Sequence, residues 1–106
     1  MTTDWRQRVD IALAGDHIRW RIHAMDRMRE RGVGTRDLLE LLRLGALVEQ
    51  DDARRPFPTA ILLGQIGTRS LHVVVAWQDD GPVLHVITVY DPDVLHFEAG
   101  GGKRRR

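Results

Sequence analysis

Three segments of alternating or continuous apolar residues, separated by two very short polar breaks, constrain this chain more than any other feature. Thr59–Ile66 and Arg69–Trp77 are divided by Gly67-Thr68, and Val83–Tyr90 follows the break Asp79-Asp80-Gly81-Pro82. Runs rich in Val, Ile and Leu joined so tightly pair as antiparallel neighbours, because a parallel return needs a crossover of about a dozen residues or more. A further short strand is expected over Ala46–Glu49, ahead of a polar loop from 51 to 58 that holds two prolines.

The first half has the other period. Asp4 is placed to cap a helix in which Trp5, Val9, Ala12 and Leu13 recur at helical spacing, up to Gly15. The stretch from His17 to Ile22 alternates, which fits either a short strand or an extended lead-in. From His23 the pattern turns helical, with Ala24, Met25 and Met28 apolar among charges, and Gly32 as C-cap. Thr35 is the expected N-cap of a last helix, with Asp37 near its positive end, Leu38, Leu39, Leu41 and Leu42 as its apolar face, and Gly45 at its end. Helices first and a meander second give an α+β fold, with short helices packed on one face of an antiparallel sheet of about four strands.

A chain of 106 residues has room for one core, so residues 1–98 are expected to form a single domain. Residues 99–106 read as a flexible basic tail, in which Lys103, Arg104, Arg105 and Arg106 follow three glycines. That tail is either a solvated terminus or an electrostatic arm for nucleic acid or an acidic partner. Charge is uneven along the rest. Residues 1–44 carry nine arginines against seven acids, and residues 45–98 three arginines against eight acids. The formal total of +1 excludes a globally basic coat but leaves room for a basic patch.

Several function classes drop out. With no cysteine there is no disulfide framework, thiolate metal site or cysteine nucleophile. No spacing such as H-x-x-x-H suggests a metal, and no glycine-rich loop follows a strand, so neither metal nor cofactor is expected. No apolar run approaches membrane-spanning length, and the N-terminal MTTDWRQRVD carries charges where a secretory signal is apolar. A cytoplasmic protein without membrane contact is the expectation, of unknown oligomeric state.

In the strands, Ser70, His72, Val74 and Ala76 share one face of Arg69–Trp77, with Leu71, Val73, Val75 and Trp77 on the other. A hairpin centred near Asp80 would set His72 opposite Thr88 and Ser70 opposite Tyr90, gathering four polar side chains at one end of the sheet. Such a cluster either holds a polar ligand or forms a satisfied network under a helix. His85 falls on the more apolar face and reads as a core histidine. Trp20 and Trp77 fit core or rim positions better than base stacking, and Glu49 reads as a surface carboxylate or as an orienter of an arginine.

The order of motifs resembles a known family. His23-Ala24 through Arg27-Met28 to Arg31-Gly32-Val33 is similar to the opening of the domain of unknown function 4258 family. Thr35–Leu38 through Gly45–Glu49, Pro56-x-Pro58 with Ile61–Gly64, Arg69–Val75, and Ile87–Asp93 resemble its later motifs, in the same order. The resemblance runs from about Ile18 to Asp93. It implies a relative of the RelE/ParE-like toxin superfamily, which includes MqsR and BrnT. That in turn implies a RelE-like fold with a curved sheet, an endoribonuclease or ribosome-directed RNA binder, and an antitoxin protein as partner.

Metal-free RNA cleavage needs a base, an acid and cations for the phosphorane. The chain offers His72 with His23 for the proton transfers, Tyr90 as helper or relay, and Arg69 to neutralise phosphate. Arg27 and Arg31, four residues apart on one helix, add charge, as do Lys103 and Arg104 from the tail. The plainer alternative for Arg27 and Arg31 is a solvated face paired with Asp26 and Glu30. A second reading of the whole chain is a non-catalytic module that binds protein or nucleic acid on the same scaffold. The acidic balance of residues 45–98 favours it.

Overall fold

The computed structural model describes residues 4–92. Lys103, Arg104, the tail from 99 to 106 and the expected domain boundary at 98 lie outside the described residues.

The first helix, α1, spans Trp5–Gly15 and opens on a capping box. The Gln7 amide donates to the Asp4 carboxylate at 2.8 Å, and the Asp4 amide donates to the Gln7 side chain at 3.3 Å. A short strand, β1 (Ile18–Trp20), leads into α2 (Ile22–Arg31), which ends on Gly32 at φ 67°, a conformation glycine adopts without strain. In α3 (Thr35–Leu44), Gly34 is the N-cap rather than Thr35, and no side chain caps the helix. Thr35 is the first helical residue, so its hydroxyl lies past the position from which a cap is made. Asp37 does fall in the first turn.

Four strands follow: β2 (Ala46–Asp51), β3 (Thr59–Ile66), β4 (Arg69–Gln78) and β5 (Val83–Tyr90). The α+β expectation stands, with three helices. The sheet has five strands, not four, in the order β1-β5-β4-β3-β2. It is mixed, because β1 pairs parallel to β5 while the other pairs are antiparallel. The connection from β1 to β5 runs through α2, α3 and the whole meander, long enough to permit the parallel return.

The helices pack on one face of the sheet. Val9, Ala24, Met28, Leu38, Leu41 and Leu42 meet Leu62, Leu71, Val73, Val75, Leu84, Val86 and Val89 in one buried cluster. Trp77 belongs to that core, and Trp20 packs against it half-buried. The other side of the sheet, here the outer face, carries the opposite parity of each strand. No helix among the described residues is long and apolar enough to cross a membrane.

Two bulges decide which side chains reach the outer face. In β2, pairing shifts between Leu47 and Glu49. Leu47 faces Leu62 and the core, while Glu49 pairs with Ile61 and Asp51 with Thr59, so both acids turn outward. In β5, Val75 pairs with Val86 but Val74 with Thr88, which leaves Ile87 as the extra residue. The hairpin register, which pairs Gln78 with Val83, and the bulge together correct two expectations. His72 stands opposite Tyr90, not Thr88, and Ser70 pairs with Gln65 of β3 rather than facing Tyr90. His85 is buried as expected, at 4% exposed, but it pairs with Ala76 on the outer face with His72 and Tyr90 rather than joining the helix-side core. One inserted residue reverses the alternation, so His85, Thr88 and Tyr90 share a side that strict parity would divide.

Candidate functional site

The sheet first brings together His72 and Tyr90. Their rings meet edge to face with centroids 5.2 Å apart, and His72 is 4% exposed. Arg69 lies on the opposite parity of β4, the helix side. Its guanidinium donates to the Arg31 carbonyl at the end of α2 and approaches the Asp91 carboxylate at 3.7 Å. Arg31 reaches the same carboxylate at 3.6 Å. Arg27 is held by Glu30 at 2.7 Å. The expected phosphate-binding arginines thus gather at one end of α2 with their charges answered by acids. His23 is exposed near the start of that helix, eight residues or about 12 Å from Arg31 along the axis. The six described candidates fall into three groups: His72 with Tyr90 on the outer face, Arg27, Arg31 and Arg69 around Glu30 and Asp91, and His23 apart.

The outer face holds another constellation that the sequence did not announce. A cavity of about 320 Å³ opens over the sheet, floored by Ile61, Val74, Ala76 and Ile87. Its rim carries Arg21, Arg54, Arg55 and Phe57, with Glu49 and Asp51 on the β2 side. That volume is in the range of a small-ligand site, and an apolar floor with a few convergent polar groups is the usual make-up of one.

Local structure explains how these residues meet. The parallel pairing sets Arg19 beside His85, and the Arg21 amide continues it by donating to the Val86 carbonyl at 3.2 Å. The Arg21 side chain then reaches His85 Nδ1 at 3.3 Å. The loop before β3 is tied down where the Trp77 amide donates to the Pro58 carbonyl at 3.0 Å. Between Pro56 and Pro58, Phe57 stacks on His85, with centroids 5.4 Å apart and planes 11° from parallel. Burial, then the positive charges of Arg21 and Arg19, hold the His85 imidazole below its ordinary pKa.

Three arginines of the cavity rim are free of the ion pairs that hold most of the others. Among the described residues, Arg6, Arg8, Arg27, Arg29, Arg31, Arg43 and Arg69 all make ion pairs. Arg19, Arg21, Arg36, Arg54 and Arg55 make none with any described carboxylate, and of these Arg21, Arg54 and Arg55 line the cavity; Arg21 donates to a neutral histidine and Arg55 to the Ala53 carbonyl. A second cavity, of about 520 Å³, lies between α1 and β2, but its arginines are committed. Arg6 donates to the Leu42 and Gly45 carbonyls at the end of α3, and Arg8 lies over the Trp5 ring near Asp52.

Sequence reasoning missed Arg21, Arg54, Arg55, Phe57 and the outward turn of His85. The signal within reach was the Arg54-Arg55-Pro56-Phe57-Pro58 run, two cations and an aromatic in a loop stiffened by prolines.

Nothing among curated proteins matches the chain, and no solved structure matches it. Residues 20–91 match the family described as Domain of unknown function (DUF4258), a stretch that runs from the end of β1 to the close of β5 and takes in Arg21, Arg54, Arg55, Phe57 and His85. The chain belongs to that family.

Proposed function

We propose that this protein binds single-stranded RNA on the outer face of its sheet, at the cavity between Arg21 and the Arg54–Phe57 loop. The observation that carries the reading is the set of three guanidiniums with no carboxylate partner among the described residues, around an apolar floor and a stacked aromatic. Guanidinium forks suit phosphate, and a ring such as Phe57 stacks a base whatever its identity. Single strands expose bases to such platforms, whereas duplex RNA hides them.

A labelled oligouridine titrated against the protein tests this. Three phosphate contacts predict a log–log salt slope of about −2 between roughly 50 and 200 mM salt. Changing Arg54 and Arg55 together to alanine should bring the slope to about −0.7. Absence of binding, or binding indifferent to salt, would reject the reading.

Cleavage in the manner of a RelE-like toxin, silenced by an antitoxin, is the second reading. His72 and Tyr90 favour it. They share the outer face with the cavity, with His72 four residues from Ala76 on β4, about 13 Å, close enough for one strand of RNA to touch both. Induced expression with mapping of new RNA 5′ ends, wild type beside His72→Ala and Tyr90→Phe, tests it. Ends present in the wild type and lost in either variant support cleavage, and no new ends leaves binding as the function.

A further inference from the structure

We infer that His85 is the positioning residue of the outer-face site, fixing Arg21 through its Nδ1 and carrying Phe57 on its ring, so that a phosphate and the base beside it are gripped as one unit. The inference rests on the RNA reading and assigns the recognition element to a single nucleotide within a strand.

The hydrogen-bond chemistry leaves one arrangement. A guanidinium has donors only, so the contact with Arg21 at 3.3 Å makes Nδ1 an acceptor. The ring proton then sits on Nε2, which donates to the Gln78 side-chain oxygen at 2.9 Å. The Gln78 amide nitrogen donates in turn to the Asp80 carbonyl at 2.9 Å, which fixes the amide with its oxygen toward His85. A chain of oriented groups thus runs from the β4–β5 turn to Arg21. The same ring supports Phe57 at 5.4 Å, nearly parallel. One face of Phe57 is taken by His85, and the other is the face a base would stack on.

The groups facing His85 are Arg21 and Arg19 from the β1 side, Gln78 and Ala76 from β4, and Phe57 from the loop. The only charged groups among them are the two arginines. A proton on Nδ1 would set donor against donor at Arg21 and add a third positive charge. Arg21 would lose its anchor, and the grip on phosphate would loosen.

The test uses the full chain and oligouridine, whose bases and phosphodiesters do not titrate near neutrality. His85→Phe keeps a ring beneath Phe57 but removes the acceptor. His85→Asn keeps an acceptor near Nδ1 but removes the ring. The first should weaken the salt slope by about 0.7, one phosphate contact. The second should keep the slope and lose affinity severalfold. Wild-type affinity should hold above about pH 6.5 and fall as the pH drops below it, because the His85 pKa lies under the ordinary value, while His85→Phe stays flat. Nitrogen-detected NMR of the free protein should find the proton on Nε2. Where His85→Phe does not fold, Gln78→Leu removes the orienting acceptor and should weaken binding instead. Binding by the wild type with unaltered slope, affinity and pH response in the variants overturns the inference and leaves the RNA reading standing. No binding by the wild type overturns both.

Discussion

His72 stands directly across β4 and β5 from Tyr90, with the two rings edge to face at 5.2 Å. The pairing exists because Ile87 is an extra residue in β5, and it is the point where the bulge becomes visible in side-chain chemistry. Edge-to-face pairs contribute about 0.5–1.5 kcal/mol beyond the area they bury. A double-mutant cycle with His72→Leu and Tyr90→Leu, read by urea denaturation, should return a coupling in that range. A coupling near zero would mean that the rings are neighbours without mutual stabilisation.

Acid should weaken the fold through His85. Its native pKa is lowered, by burial and by Arg21 and Arg19, from an ordinary value of 6.5. Between those two values the unfolded chain binds more protons than the native one, so stability rises with pH there. The contribution is whole above about pH 6.5, declines as pH falls below it, and levels off beneath the native pKa. Denaturation midpoints of wild type and His85→Phe, compared across about pH 7.5 to 5, should converge toward the acid end. Parallel profiles would show that another group governs the acid limb.

Much of the architecture was legible because it is written in periods and punctuation. The apolar rows of α1, α2 and α3, the Asp4 cap, the Gly32 stop and the two tight hairpins are local signals, and each element formed where its signal lay. β1 was ambiguous because three residues carry too little alternation to separate a strand from a lead-in, and its parallel partner lies 66 positions on. The bulges at Val48 and Ile87 left no mark in composition, since an extra apolar residue in an apolar strand changes nothing except the faces that follow. The candidate site was obscure for similar reasons. Arg21 comes from the β1–α2 junction, Phe57 from a loop more than 30 residues later, and His85 faces the cavity side because the hairpin pairs Gln78 with Val83, one position off the expected register.

The seam between α3 and β3 depends on two glycines. A Cβ at Gly64 would lie 2.6 Å from Leu41 Cγ, and one at Gly45 would lie 2.7 Å from the Leu41 carbonyl oxygen. Leu41 is 1% exposed, so its side chain has little room to retreat, and a backbone oxygen has less. Overpacking of this kind costs about 1–3 kcal/mol. Gly64→Ala and Gly45→Ala should each lower the thermal midpoint by several degrees, with Gly45→Ala the more severe. Gly67→Asn serves as the control, since a Cβ there meets nothing within 4 Å and asparagine tolerates the left-handed turn conformation at φ 65°.

The clasp at the end of α2 divides its stability unequally between charge and hydrogen bonding. Asp91 takes Arg31 and Arg69 at 3.6 and 3.7 Å, and all three side chains keep a quarter or more of their surface in water. Loose ion pairs this exposed contribute about 0–1 kcal/mol and fade with salt. The Arg69 bond to the Arg31 carbonyl is different, because it satisfies one of the acceptors that a helix leaves open at its C-terminus. Asp91→Asn should therefore cost less than about 1 kcal/mol, with the loss shrinking at high salt. Arg69→Met, which keeps most of the apolar stem, should cost about 1–2 kcal/mol with little salt dependence. Urea denaturation at low and high salt separates the two. Equal losses that vanish together in salt would assign the clasp wholly to charge.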